Sequence, residues 1–189
     1  GTDMTSATAT LRGPNGIFGS SNADPTLPLP NGIGGDALEV DFTTLTEGTT
    51  TGATAPIHLS DTAGGLVVTQ ATTTDGSIRI NAVGGNLTLT TVIAGGAGRN
   101  ILGSTTTSGN ILVDNVRAEG DNITLNAGRG GALGSINELG AGDVSEDLVS
   151  NTATLTGPGG VGNLATIEVD FTTLTSATTT QAAGHINVS

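Results

Sequence analysis

Short groups of aliphatic residues recur along this chain at two alternating distances, and this spacing limits the possible folds more than any other feature. The distance is 9 from Ile57 to Leu66, 12 from Leu66 to Ile78, 9 from Ile78 to Leu87, 10 from Ile101 to Ile111 and 12 from Ile111 to Ile123. Paired steps return the chain to an equivalent point about every 21 or 22 residues, at Ile57 and Ile78, Leu66 and Leu87, and Ile101 and Ile123. Such a period predicts a solenoid of stacked coils. Within each group the apolar residues alternate with polar ones, as in Leu38, Val40 and Phe42, Ile78 and Ile80, Leu87 and Leu89, and Ile167, Val169 and Phe171. Period two is the mark of a half-buried strand. The one stretch with a helical face, Val144 to Val149, spans fewer than two turns and follows Gly140-Ala141-Gly142. The chain therefore reads as all-β, a β-helix.

The residues ahead of the strands support this reading. Gly65, Ser77, Asn86, Asn100, Asn110 and Asn122 each precede an aliphatic strand residue. Gly and Asn tolerate the left-handed backbone of a sharp corner, and Asn side chains at equivalent corners can hydrogen-bond from coil to coil. A thin interior also explains the composition, with 31 Gly among 189 residues, 2% aromatics and no Trp or Tyr. The abundant Thr suits an outward, solvated β surface. A β-sandwich fits less well, since Ig-like sandwiches rely on a large aromatic in the core.

A longer repeat overlies the coils. Ala7-Thr8-Ala9-Thr10-Leu11 returns as Asn151-Thr152-Ala153-Thr154-Leu155, an offset of 144, and Leu38 to Thr46 returns as Ile167 to Thr175, an offset of 129. The first copy thus carries 15 extra residues, placed within Ser20 to Asp36, where Pro25, Pro28 and Pro30 predict an extruded loop. Residues 1–150 read as one long solenoid unit with a Pro-rich inserted loop at 20–36, and 151–189 as the start of the next tandem repeat in the same solenoid. Each unit ends on open strand edges that another copy can cover. The start at Gly1-Thr2-Asp3-Met4 reads as a mature product or a piece of something longer.

The blocks Gly76-Ser77-Ile78-Arg79-Ile80-Asn81-Ala82, Gly85-Asn86-Leu87-Thr88-Leu89-Thr90, Gly109-Asn110-Ile111-Leu112-Val113 and Asp121-Asn122-Ile123-Thr124-Leu125-Asn126 resemble the repeats of filamentous-haemagglutinin-type, giant repetitive bacterial surface adhesins. The resemblance runs from about Ala7 to Ser189. It implies a right-handed parallel β-helix, secretion, and adhesive or fibrous work outside a bacterial cell.

Composition excludes several other functions. Five Arg and no Lys against 17 acids give a net charge of -12, which repels nucleic acid. No cysteine is present, so no disulfide scaffold forms. No apolar run approaches the roughly 18 residues of a membrane span, and the first residues lack the basic and apolar regions of a signal peptide.

The search for chemistry yields little. His58 and His185 stand in no nucleophile-base pattern and read as polar residues on a strand surface. The acid pairs Glu39 with Asp41, Glu168 with Asp170, and Glu146 with Asp147 raise the question of a glycosidase. Acids two apart in a strand share a face about 7 Å apart, within the range of an inverting enzyme. Because Glu39 and Asp41 alternate with Val40 and Phe42 and return in the second copy, they read instead as the outer face of an amphipathic strand. The Gly-rich strings Gly95 to Arg99, Gly128 to Gly131 and Gly32 to Asp36 read as tight corners, since no helix or Lys follows. Asp143, Glu146 and Asp147 are candidate calcium ligands in one acid-rich turn; no other cofactor is expected. Asn86, Asn122 and Asn187 fit the N-glycosylation tripeptide.

The function expected is that of a non-enzymatic structural or adhesive segment, partnered end to end by copies of the same repeat and by glycans or other cell surfaces. A self-assembling extracellular filament and a polysaccharide-degrading β-helix enzyme are the alternatives.

Overall fold

The computed structural model describes residues 2–19, 37–131, 133–140 and 144–189. The Pro-rich insertion at 20–36, with its Gly32 to Asp36 string, and Asp143 lie outside the described residues. Alternation of apolar and polar residues produces twelve strands: β1 at Met4–Gly13, β2 at Leu38–Thr50, β3 at Ile57–Asp61, β4 at Leu66–Thr73, β5 at Ile78–Val83 and β6 at Leu87–Ala94. They continue with β7 at Ile101–Thr106, β8 at Ile111–Arg129, β9 at Ser135–Glu138, β10 at Leu148–Thr156, β11 at Gly160–Val161 and β12 at Val169–Thr178. Among the described residues there is no helix, and Leu148 and Val149, read in sequence as part of a weak helical face, begin β10.

Every strand pairing is parallel, so the chain is a β-solenoid of about six turns. The pairings line up the aliphatic residues in columns. One column runs Ile17, Ile57, Ile78, Ile101, Ile123, Ala153 and Leu174. A second runs Leu66, Leu87, Ile111, Ile136, Val161 and Ile186. Between the ends of the stack these side chains are buried, from Ile57 at 0% exposure through Ile123 at 0%. Burying an aliphatic side chain contributes roughly 1.5–3 kcal/mol, so the columns are the main stabilising element.

Coil length departs from the sequence expectation in the later turns. The pairings Ile57 with Ile78 and Leu66 with Leu87 fit the 21 or 22 residue period, but Leu87 pairs Ile111, Ile111 pairs Ile136 and Ile123 pairs Ala153. Part of the excess is a bulge inside β8, where Ser104 pairs Asn126 but Thr106 pairs Arg129.

The corners themselves are tied from coil to coil by side chains accepting backbone N–H groups. Asn86 Oδ1 accepts from Asn110 N at 2.9 Å, Asn110 Oδ1 from Ser135 N at 2.9 Å, and Asn100 Oδ1 from Asn122 N at 3.1 Å. The expected Asn ladder is therefore present, linked through the main chain. Threonine does not all face outward: Thr50, Thr73 and Thr105 are buried. Each turns inward at a corner and donates its hydroxyl to a carbonyl, to Ala55 O at 2.6 Å, Gly76 O at 2.5 Å and Gly109 O at 2.5 Å. Close coil contact dictates glycine at one corner, because a Cβ on Gly109 would stand 1.9 Å from the Gly85 carbonyl oxygen.

The 144 and 129 offsets are reproduced in strand pairing. Met4 pairs Val40 and Ala9 pairs Leu45, with a register shift between Ala9 and Thr10. Their counterparts Leu148 and Ala153 pair Val169 and Leu174, with the shift between Ala153 and Thr154. The bridge of Ile17 to Ile57 likewise returns as Val161 to Ile186. Leu38 pairs Leu59 and its counterpart Ile167 bridges Val188, so the register of the two copies agrees on both sides of the extra residues.

Removing one corner acceptor tests the ladder. Asn110→Ala should lower the unfolding free energy by about 1–2 kcal/mol, by leaving the Ser135 N–H without its acceptor. Thr88→Ala, on the outward side of β6, should change it by less than about 0.5 kcal/mol. Urea denaturation followed by circular dichroism measures both.

Candidate functional surface

A local irregularity indents the surface between β8 and β10. Ala118 of β8 pairs Ser150 of β10, but the next aligned pair is Asn122 with Thr152, so Glu119, Gly120 and Asp121 face Asn151 alone. Gly120 adopts a φ of 79° there, a conformation that glycine takes without strain. Beside the bulge is a groove of about 410 Å³ lined by Arg117, Glu119, Gly120, Val149, Ser150, Asn151, Asp170 and Thr172. Arg117, Val149 and Asp170 are aligned across three successive coils. The Arg117 side chain is oriented by donating Nε–H to Asn115 Oδ1 at 2.6 Å, and its Nη2 lies 3.9 Å from Glu146. The groove offers guanidinium, carboxylate, amide and hydroxyl groups, a set suited to hydrogen-bonding a polyhydroxylated ligand.

Of the acids singled out in sequence, Asp170 alone lines this groove. Glu39 and Asp41 are half-buried on or beside β2, where Asp3 Oδ2 accepts from Glu39 N at 3.2 Å. The calcium candidates are placed differently from one another. Glu146 is an exposed carboxylate facing Arg117, whereas Asp147 is 1% exposed and its Oδ2 accepts from Glu168 N at 3.1 Å. Among the described residues no three His, Asp or Glu side chains group as a metal site. The Asp147 to Glu168 bond repeats the Asp3 to Glu39 bond at the same position of the other copy. Its sequence reading missed this, although Asp3-Met4 and Asp147-Leu148 stand at the same 144 offset.

His185 is exposed as expected, but His58 is not a surface residue: it is 6% exposed, and its register partner Arg79 is 8% exposed. Both faces of β3 and β5 are buried along most of their length, which period two alone does not reveal. All three glycosylation-type asparagines link coils: Asn86 accepts from Asn110 N, Asn122 accepts from the Thr152 hydroxyl, and Asn187 donates Nδ2–H to Thr166 Oγ1 at 2.8 Å.

The structure adds two buried carboxyls. Asp61, 0% exposed, accepts from Phe42 N at 3.4 Å and Gly65 N at 3.2 Å. Burial lifts it to about 6, against the pull of those two N–H groups and with a further push from Asp41. Burial lifts Asp147 to about 7; the Glu168 N–H opposes this, and the charges of Glu138 and Glu168 add to it. The Glu168 Oε2 atom is buried with no hydrogen-bond partner. Elsewhere acids are held charged by arginine: Glu47 falls to about 2 beside Arg12, and Asp75 is lowered by the Arg99 Nε–H at 2.6 Å.

Compared with protein-family models, curated protein sequences and solved structures, the chain matches none.

The two raised carboxyls dictate a pH dependence. In the unfolded chain they titrate near 4, so the folded state binds more protons between that value and the raised ones. Stability is fully present below about pH 4 and is lost as pH rises through about 6 for Asp61 and about 7 for Asp147. Each loss is on the order of 2–4 kcal/mol. The urea midpoint should fall from pH 5 to pH 8, and Asp147→Asn should remove the upper part of that fall; a flat profile in the parent chain would contradict the assignment.

Proposed function

We propose that this chain is a non-enzymatic shaft segment of a large secreted bacterial surface fibre or adhesin. The observation that carries this reading is the return of one strand register, bulge included, at two places in one continuous stack. A unit that restarts in register lengthens a rod without a change of fold, because in a solenoid each coil contacts only its neighbours. Stacked at roughly 4.8 Å per coil, the ladder gives a stiff spacer, and weak polar contacts repeated along it sum to avidity. The groove at Arg117, Glu119 and Asp170 supplies one such contact per unit. The resemblance to filamentous-haemagglutinin-type repeats supports the same reading.

A shaft presents many weak sites and catalyses nothing. On a glycan array the single chain should give weak signals that rise at least tenfold when it is displayed in multivalent form, and Asp170→Ala should reduce them. Release of reducing ends from a polysaccharide, lost on changing Glu119 or Asp170, would instead support the polysaccharide-degrading alternative.

A further inference from the structure

Equivalent residues of the two copies differ in burial. Leu45 is 0% exposed beneath β4, whereas its counterpart Leu174, in the last coil, is 39% exposed. Ile57 is 0% exposed beneath Ile78, whereas its counterpart Ile186 is 47% exposed. At the other end the same holds in reverse: Leu148 is 0% exposed against β8, and its counterpart Met4 is 40% exposed. The last coil is therefore an apolar, hydrogen-bonding face whose covered form is already visible inside the molecule.

We infer that this face is the docking surface for the coils that begin at Asp61 in a further copy of the repeat, in a register fixed by the first copy. The inference rests on the tandem-shaft reading and adds to it the partner surface and its alignment. The last residue, Ser189, is the counterpart of Ser60, so the segment that continues the pattern starts at Asp61. Thr44 pairs Val67, Leu45 pairs Val68, Gly48 pairs Ala71 and Ile57 pairs Ile78. Carried to the second copy, these alignments set Thr173 opposite Val67, Leu174 opposite Val68, Ala177 opposite Ala71 and Ile186 opposite Ile78 of the added segment. Every inward position then meets an aliphatic or small side chain, and the outward ones meet outward ones. A slip by one residue would turn the whole apolar set of a strand to solvent.

The test is a single polypeptide in which residues 61–189 follow Ser189 directly. The chain has no cysteine, so an introduced pair reports alignment without competition. Thr173→Cys combined with Val67→Cys in the added segment should oxidise to a disulfide in the folded protein, because directly opposed strand residues lie within bridging distance. Thr173→Cys combined with Thr69→Cys in the added segment, two residues out of register, should not. Amide exchange in β12 should slow at least tenfold relative to the 189-residue chain. Failure of the first pair to close, or closure of the second in its place, would overturn the inferred register. So would unchanged exchange in β12 with the added segment unfolding independently. None of these outcomes depends on glycan binding or sugar release, so they separate this inference from the proposed function.

Discussion

Stacking of one aliphatic side chain on the next, coil after coil, is the constraint on which everything else in this molecule depends. Ile57, Ile78, Ile101 and Ile123 occupy one column, each held over the last by a parallel ladder whose strand spacing matches the contact distance of two aliphatic groups. A column of this kind accepts branched aliphatics and little else. Its narrowness explains why Gly103 lies between Ile80 and Leu125 in the neighbouring column: a Cβ there would come within 2.9 Å of the Leu125 side chain. The same narrowness explains the near absence of aromatics; Phe42, buried within β2, donates its N–H to Asp61.

The columns leave the corners to be solved separately, and there polar chemistry takes over. A corner breaks the ladder and strands backbone groups, which are costly to bury without partners. Asn side chains accept the N–H of the next coil, inward Thr hydroxyls donate to carbonyls, and Asp61 and Asp147 accept the N–H groups of Phe42 and Glu168 from adjacent coils. The carboxylates carry the extra cost of a buried charge, and this cost raises their proton affinity. The coupling of stability to pH is thus a consequence of using an acid where other corners use an amide or a hydroxyl.

The columns were legible in the sequence because each strand reports its own inward face by period two. Asn86, Asn100 and Asn110 were legible as corners because they immediately precede aliphatic strand residues. The register of Thr50, Thr73 and Thr105 was not, since whether a corner Thr turns inward depends on a carbonyl supplied several residues later. The burial of His58 and Arg79 was equally hidden, because alternation marks one face as apolar and is silent on what covers the other. The groove lies beside a mismatch of three residues in β8 against one in β10, about thirty positions apart, and a single strand read alone carries no trace of it.

The two copies also show how features are distributed around a rod. Five pairing steps carry Ile17 to Ala153, yet its repeat counterpart is Val161, in the column of Leu66. Five steps carry Ala9 to Glu138, yet its counterpart is Ala153, farther around the same coil path. One unit therefore spans five turns and roughly half of another, a rise of roughly 26 Å at the spacing of stacked strands. Ile17 and its counterpart Val161 accordingly stand in different columns of the same stack. A feature that recurs at equivalent positions of the two copies is therefore displaced by about half a turn around the solenoid. Among the described residues β1 and β12, in the first and last coils, are each paired along one edge alone, and the net charge of -12 opposes close approach of like chains.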